Sequence, residues 1–200
     1  RRSLDPDSVP KHVAMMIDGN RRWARQLGFD SPADGHRAGA AKMREFLEWC
    51  DEVGVQVVSL YLLSNDNVTK RDSREIADLI EIIAELADEL SRYRDWKVQH
   101  VGSTAGLPDG LVAVLDAAQE RTKHNPGMHV NLAVGYGGRR EIVDAVRSII
   151  VAYDQEGGSL EELAASLTPE TIGEHLYTGG QPDPDLVIRT SGEQRLSDFL

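Results

Sequence analysis

His12-Val13-Ala14-Met15-Met16-Ile17-Asp18-Gly19-Asn20-Arg21-Arg22-Trp23 reads as a short apolar strand that runs directly into a polar turn and then a helix. A second stretch repeats the design: Leu186-Val187-Ile188 is followed by Arg189-Thr190-Ser191-Gly192-Glu193-Gln194-Arg195-Leu196-Ser197. In an open α/β sheet, ligands bind outside the carboxyl ends of the strands. A carboxylate and several arginines at two such ends suit one type of ligand, a metal-bridged phosphate or diphosphate.

Outward from these stretches, the chain alternates strand-like and helix-like segments. The pattern predicts one α/β domain over residues 1–200, with a mostly parallel central sheet flanked by helices. Strands are expected near 12–17, 55–63, 97–102, 129–134 and 185–189. Helices are expected near 20–28, 38–53, 72–92, 107–123, 138–156, 160–166 and 169–176. Met43, Phe46, Leu47, Cys50 and Val53 share a face of the helix at 38–53, which Gly54 ends. Ile76, Leu79, Ile80, Ile83, Leu86 and Leu90 form the stripe of the next helix, with Asp72 and Glu75 as an approximate capping box. Ile82 and Ala87 widen the stripe, which suits either packing on both sides or the wall of an apolar channel. Ser159 with Glu162, and Thr168-Pro169, mark two further helix starts.

The net charge of −11 weighs against nucleic acid as a partner, which needs basic surface. Arginines that bind an anion must then be gathered locally. One cysteine, Cys50, excludes an intrachain disulfide, and its place on an apolar helix face gives it a core role. No run approaches the roughly 20 apolar residues that span a bilayer. Residues 1–11 lack the apolar core of a signal peptide. The chain stops at Ser197-Asp198-Phe199-Leu200, an apolar pair just past a polar cluster, so a C-terminal part of the natural protein is expected to be missing.

Asp18 repels phosphate unless a cation bridges them, and Mg²⁺ commonly takes one or two carboxylates plus substrate oxygens. Gly19 permits close backbone approach, Asn20 offers an amide, and Arg21, Arg22 and Arg25 supply charge beside a helix start. The alternative is Asp18 as a helix N-cap among solvated arginines. Ser64-Asn65-Asp66-Asn67, at the end of the second strand, can be a plain Asx-type turn or can orient a proton or a metal. Gly135-Tyr136-Gly137-Gly138-Arg139-Arg140 lacks a P-loop ending and a dinucleotide fingerprint, and reads as a structural turn or a support at the rim. Arg189 and Arg195, six residues apart across a glycine turn, can converge on one diphosphate with Thr190 and Ser197 as neutral donors. Glu193 can hold an arginine in place, and a surface turn with an internal Arg–Glu pair is the alternative. His36, after Gly35, is a structural histidine or a donor to phosphate.

Taken together, these segments resemble the cis-prenyltransferases, the family of undecaprenyl diphosphate synthase and the short-chain Z-farnesyl diphosphate synthases. The matching stretches are His12 to Arg25, Gly35 to Ala40, Tyr61 to Asn67, Asn131 to Val146 and Asp185 to Leu200, in the family's order over nearly the whole chain. The resemblance implies condensation of isopentenyl diphosphate with an allylic diphosphate primer, geranyl or farnesyl diphosphate, to a Z-configured product with release of diphosphate. It implies Mg²⁺ as cofactor, a homodimer, an apolar tunnel walled by the helices at 38–53 and 72–92, and a cytoplasmic enzyme that can touch the membrane through its lipid product. By matching positions, Asp18 would be the catalytic Mg²⁺ residue. Gly19, Asn20, Arg21, Arg22, Trp23 and His36 would surround the allylic diphosphate. Arg189, Arg195 and Ser197 would hold isopentenyl diphosphate. Asn67, with Ser64 nearby, would be associated with the proton that isopentenyl diphosphate loses, and Ser64, Asn65, Asp66 and Arg71 would contact substrate. An amide is a weak base, so Asn67 is read as a positioner and the released diphosphate as the proton acceptor.

The chain departs from the family in five places. Ser64-Asn65-Asp66-Asn67-Val68 replaces the usual Ser-Ser/Thr-Glu-Asn-Trp, and the arginine that follows falls on Lys70 or Arg71. No arginine lies in Phe29 to Asp34. Leu62 stands where long-chain members have a smaller residue, which narrows a tunnel and favours a short product. The family's further glutamate and Arg-x-Gly ending are not in the sequence. The alternative of a catalytically silent subunit supporting an active partner conflicts with the retained Asp18 and arginines. An unrelated phosphate-binding module has no nucleotide motif to support it.

Overall fold

Strand β1 (His12–Met16) is buried at every position and takes parallel neighbours on both sides. A computed structural model describes residues 5, 8–29, 31–64, 73–157, 159–196 and 198–199. Beyond β1 the sheet contains β2 (Val57–Ser64), β3 (Lys97–Val101), β4 (His129–Tyr136) and β5 (Leu186–Arg189). All pairings are parallel and the spatial order is β3-β4-β2-β1-β5. Because every pairing is parallel, all the carboxyl ends lie on one rim. Registers of Met16 with Tyr61 and with Arg189 put the sequence following β1 between the ends of β2 and β5.

The helices are α1 (Asn20–Gln26), α2 (Pro32–Val53), α3 (Ser73–Tyr93), α4 (Asp109–Thr122), α5 (Gly138–Glu156), α6 (Leu160–Ser166) and α7 (Pro169–Glu174). Strand alternation gives the sheet two different faces. Val13, Met15, Val58, Leu60, Val98, Val130 and Leu132 join Leu47, Ile83, Leu90 and Leu115 of the helices in the main core. The other face is smaller and more polar, with Ala14, Met16, Ala133, Tyr136 and Phe199 in a second cluster beside Tyr61 and Tyr177.

The sequence reading holds for the type and order of these elements and places their boundaries within two residues, with one exception. Helix α2 starts six residues before the expected 38, at Pro32. Ser31 caps it by accepting from the Ala33 N–H at 3.2 Å, and Pro32 occupies the first turn, where its missing N–H costs nothing. Gly35, in the added turns, and Gly39 are both required by packing. A Cβ at Gly35 would lie 2.4 Å from the Asn20 carbonyl oxygen, and one at Gly39 would lie 2.5 Å from the Asn20 amide nitrogen. Gly54 ends α2 in the left-handed region at φ 91°, and the Ser159–Glu162 capping box forms. Asp72, expected to cap α3, lies outside the described residues.

Candidate active site

The residues past β1 and β5 meet at the rim. Asp18 lies two positions beyond Met16, and its backbone is clasped by Thr190. The Asp18 N–H donates to the Thr190 hydroxyl at 3.0 Å, and that hydroxyl donates to the Asp18 carbonyl at 2.6 Å. Thr190 is therefore a clamp between the two turns rather than a free donor. Gly19 holds the N-cap position of α1 at φ 102° with no side-chain cap bond, so Asp18 is not the helix cap. Its carboxylate turns instead to Arg189, which donates to Asp18 Oδ2 from Nη2 at 2.7 Å and from Nε at 3.2 Å. Partial burial alone would raise the Asp18 pKa, but the hydrogen bonds from Arg189 and Ser191 outweigh it. The carboxyl is held below its ordinary range.

Glu193 sits among three arginines. Its carboxylate lies 3.0 Å from Arg189 Nη2, 2.8 Å from Arg195 Nε and 3.4 Å from Arg22 Nη1. The surface-turn alternative is thus half right: the Arg–Glu pair exists, but it reaches across to α1. Arg189 is largely buried, whereas Arg22 and Arg195 are exposed. A carboxylate among three guanidinium groups marks a position that suits an anion. Arg189 Nη1 also donates to the carbonyl of Arg195, which ties the two ends of the turn together.

On the other side of Asp18, Asp18, Gly19, Asn20, Arg21, Arg22, Arg25 and His36 line a cationic recess of about 250 Å³. His36 is buried on α2, with Nε2 3.5 Å from Glu75 Oε1. Arg21 Nε is 3.5 Å from the same oxygen. Sequence reasoning gave Glu75 only a capping role. Its place in the first turn of α3, past the second strand's rim, was the available signal. Trp23 stacks on Phe29 at 5.7 Å and lines a second cavity of about 370 Å³ with Met15, Ile17, Asp18, Met43 and Phe46. A smaller space of about 50 Å³ lies between α2 and α3, lined by Ile17, Met43, Leu62, Leu79, Ile83 and Leu86. Ile17, Asn20 and Met43 border both spaces.

Ser64 ends β2 at the same rim, in register with Tyr136 of β4. Asn65, Asp66, Asn67, Arg71 and Ser197 lie outside the described residues. Among the described residues no three His, Cys, Asp or Glu side chains cluster as a metal cage. Asp18 offers a single, partly exposed carboxylate beside arginines. That donor set fits a hard divalent ion whose remaining ligands come from substrate oxygens and water, and does not fit a closed structural site.

Comparison with known proteins agrees with this geometry. Residues 16–200 match the family model described as "Putative undecaprenyl diphosphate synthase". Isoprenyl transferase 1 of Streptomyces avermitilis is 51% identical over 98% of this chain and 76% of its own. The (2Z,6E)-farnesyl diphosphate synthase of Mycobacterium tuberculosis is 50% identical over 96% of this chain and 73% of its own. Among solved structures, lavandulyl diphosphate synthase from Lavandula x intermedia, in complex with dimethylallyl diphosphate, superposes with a TM-score of 0.86. It is 32% identical and the match covers 97% of this chain and 83% of that one. A parallel sheet with an arginine-rich rim beside an apolar cleft, together with a family match along almost all its length, places the chain in the undecaprenyl diphosphate synthase family, the cis-prenyltransferases.

Proposed function

We propose that the protein is a Mg²⁺-dependent cis-prenyltransferase. It condenses isopentenyl diphosphate with an allylic diphosphate, geranyl or farnesyl diphosphate, to give a Z-configured isoprenyl diphosphate and free diphosphate. One observation carries this reading: Asp18 and Arg189, 171 residues apart, meet at 2.7 Å beside an apolar cavity at the carboxyl rim of a parallel sheet.

Breaking the allylic C–O bond leaves an electron pair on the departing diphosphate, so fixed cations around it stabilise the transition state. Arg21, Arg22 and His36, with the backbone at Gly19 and Asn20, face that diphosphate. Mg²⁺ held by Asp18 would neutralise charge as it develops on the leaving oxygens. Arg189, Arg195 and Ser197 hold isopentenyl diphosphate, whose double bond supplies the electrons for the new C–C bond. The proton it loses passes to the released diphosphate, with Asn67 and Ser64 as positioners. Trp23, Met43 and Phe46 keep water away from the cationic carbon. The apolar space between α2 and α3 receives the growing chain as a tunnel, and Leu62 in its lining limits product length.

The working unit in this reading is a homodimer. It is supported by Ile142, Val143, Ile150 and Val151, which leave a run of exposed apolar side chains on α5. Among the described residues no helix is long and apolar enough to cross a membrane. The reading places the enzyme in the cytoplasm, with membrane contact made through its product. The test is chromatography of products after the full-length protein is incubated with labelled isopentenyl diphosphate, Mg²⁺ and geranyl or farnesyl diphosphate. A labelled Z product that disappears with EDTA is expected. No product from the isolated protein, with product restored by a partner chain, would establish the silent-subunit alternative instead.

A further inference from the structure

The segment after β5 leaves the edge of the sheet and does not stay there. Its first residue is fixed to β1: Thr190 donates its N–H to the Met16 carbonyl at 3.2 Å and clasps Asp18. Its far end reaches past β1 to β2 and β4. The Phe199 ring is 4.5 Å from Tyr61 of β2, stacked at 26°, and 5.8 Å from Tyr136 of β4, edge-on at 82°. Phe199 is 1% exposed. The neighbouring Asp198 docks on the first turn of α5. Its carbonyl accepts the Gly138 N–H at 2.8 Å and its carboxylate accepts the Arg139 N–H at 3.3 Å. Helix α5 has Gly137 at its N-cap and no cap bond of its own, so Asp198 supplies the missing acceptors from elsewhere in the chain.

We propose that this segment is a strap across the carboxyl rim, and that Phe199 and Asp198 are positioning residues for Arg189 and Arg195. Between its two anchors the strap carries Arg195, whose side chain is 72% exposed and is held through Glu193 and the bond from Arg189 to its carbonyl. An exposed arginine on a short turn has many rotamers. Seating the far end in an aromatic socket restricts where its backbone can go, and so pre-organises the pair for a diphosphate. The socket is built from β2, β4 and α5. Arg21, Arg22 and His36 stand on α1 and α2, away from the far anchor; the strap meets them through Glu193, 3.4 Å from the exposed Arg22. Loosening the anchor therefore weakens the isopentenyl diphosphate position more than the allylic one, because Glu193 lies closer to Arg189 and Arg195 than to Arg22. This inference rests on the prenyl transfer proposed above.

The test is steady-state kinetics of Phe199→Ala, Phe199→Leu and Asp198→Ala in the full-length protein, with each diphosphate varied in turn. For Phe199→Ala, KM for isopentenyl diphosphate rises about tenfold, the scale of a small misplacement of binding groups. KM for the allylic diphosphate rises far less. Phe199→Leu, which refills the socket, restores most of the loss, and Asp198→Ala shows the same selective rise at smaller size. Equal rises in both KM values, or an unchanged KM for isopentenyl diphosphate in a folded Phe199→Ala protein, would overturn the strap. If Phe199→Ala does not fold, Asp198→Ala decides by the same criterion. A wild type that makes no product at all would instead remove the functional reading beneath it.

Discussion

Arg189 carries two carboxylates on one guanidinium, Asp18 at 2.7 Å and Glu193 at 3.0 Å, and is itself mostly buried. This pairing favours the ionised form of Asp18, as a metal ligand would require, and Asp18 also lines the recess beside α1. Replacing Asp18 with alanine leaves the arginines in place and removes the carboxylate that lines the recess from the end of β1. The expected outcome is a fall in kcat of about 100-fold or more, the scale for losing one preorganised electrostatic partner. Calorimetry should show diphosphate binding retained. Turnover near the wild-type level would remove Asp18 from the reaction. Asp18, Arg189 and Arg195 were legible because each follows an apolar run that could only be a strand. Glu75 was not, since its meeting with Arg21 and His36 depends on how α3 lies against α2, and no spacing in the chain encodes that. Thr190 was misread as a donor to substrate because a hydroxyl that clamps a backbone looks the same in sequence as one that faces a ligand.

Helix α1 is only seven residues long and depends on α2 for its place. The contact is closest at Gly35 and Gly39, where Asn20 rests directly on the α2 backbone. A methyl group at Gly35 would press on the Asn20 carbonyl, which cannot swing aside without moving the start of α1. Gly35→Ala is expected to cost about 1–3 kcal/mol, as overpacking does, and to shift Arg21 and Arg22 with the helix. A urea titration should report the lower midpoint, and KM for the allylic diphosphate should rise. Gly39→Ala meets the Asn20 side chain, which can rotate, and should be milder. An unchanged midpoint for Gly35→Ala would show that α1 is not seated this way. The apolar stripe and the stop at Gly54 made most of α2 readable. Its first six residues, Pro32 to Arg37, precede the apolar stripe, so the period that marked the helix does not reach them; the Ser31 cap followed by Pro32 was the available signal.

Across the molecule, the second face of the sheet holds a buried polar chain. His12 Nδ1 donates to the Pro182 carbonyl at 2.7 Å, and its Nε2 accepts from Ser59 at 2.8 Å. Ser59 in turn accepts from Asn131, which also bonds Gln181. Burial lowers the His12 pKa more than Asp183 and Asp185 raise it. His129 is shifted in the same direction, first by burial and then by Lys97. The unfolded chain takes up these protons near pH 6.5 while the folded chain does not, so stability is full above pH 6.5. It falls as the pH drops from there towards the lowered folded values. Denaturant midpoints measured between pH 8 and 5 should show this decline, and a His12→Asn protein should show a shallower one. An identical slope in the variant would rule out His12 as its source. Strand order adds a consequence in time. Among the described strands the last in sequence, β5, docks on the first, so Val13 pairs with the distant Leu186. Bringing such distant segments together is a slow, entropically costly step. On dilution from denaturant, helical circular dichroism should return before catalysis does, because the helices form from local sequence while the pocket waits for β1 and the distant β5 to find each other.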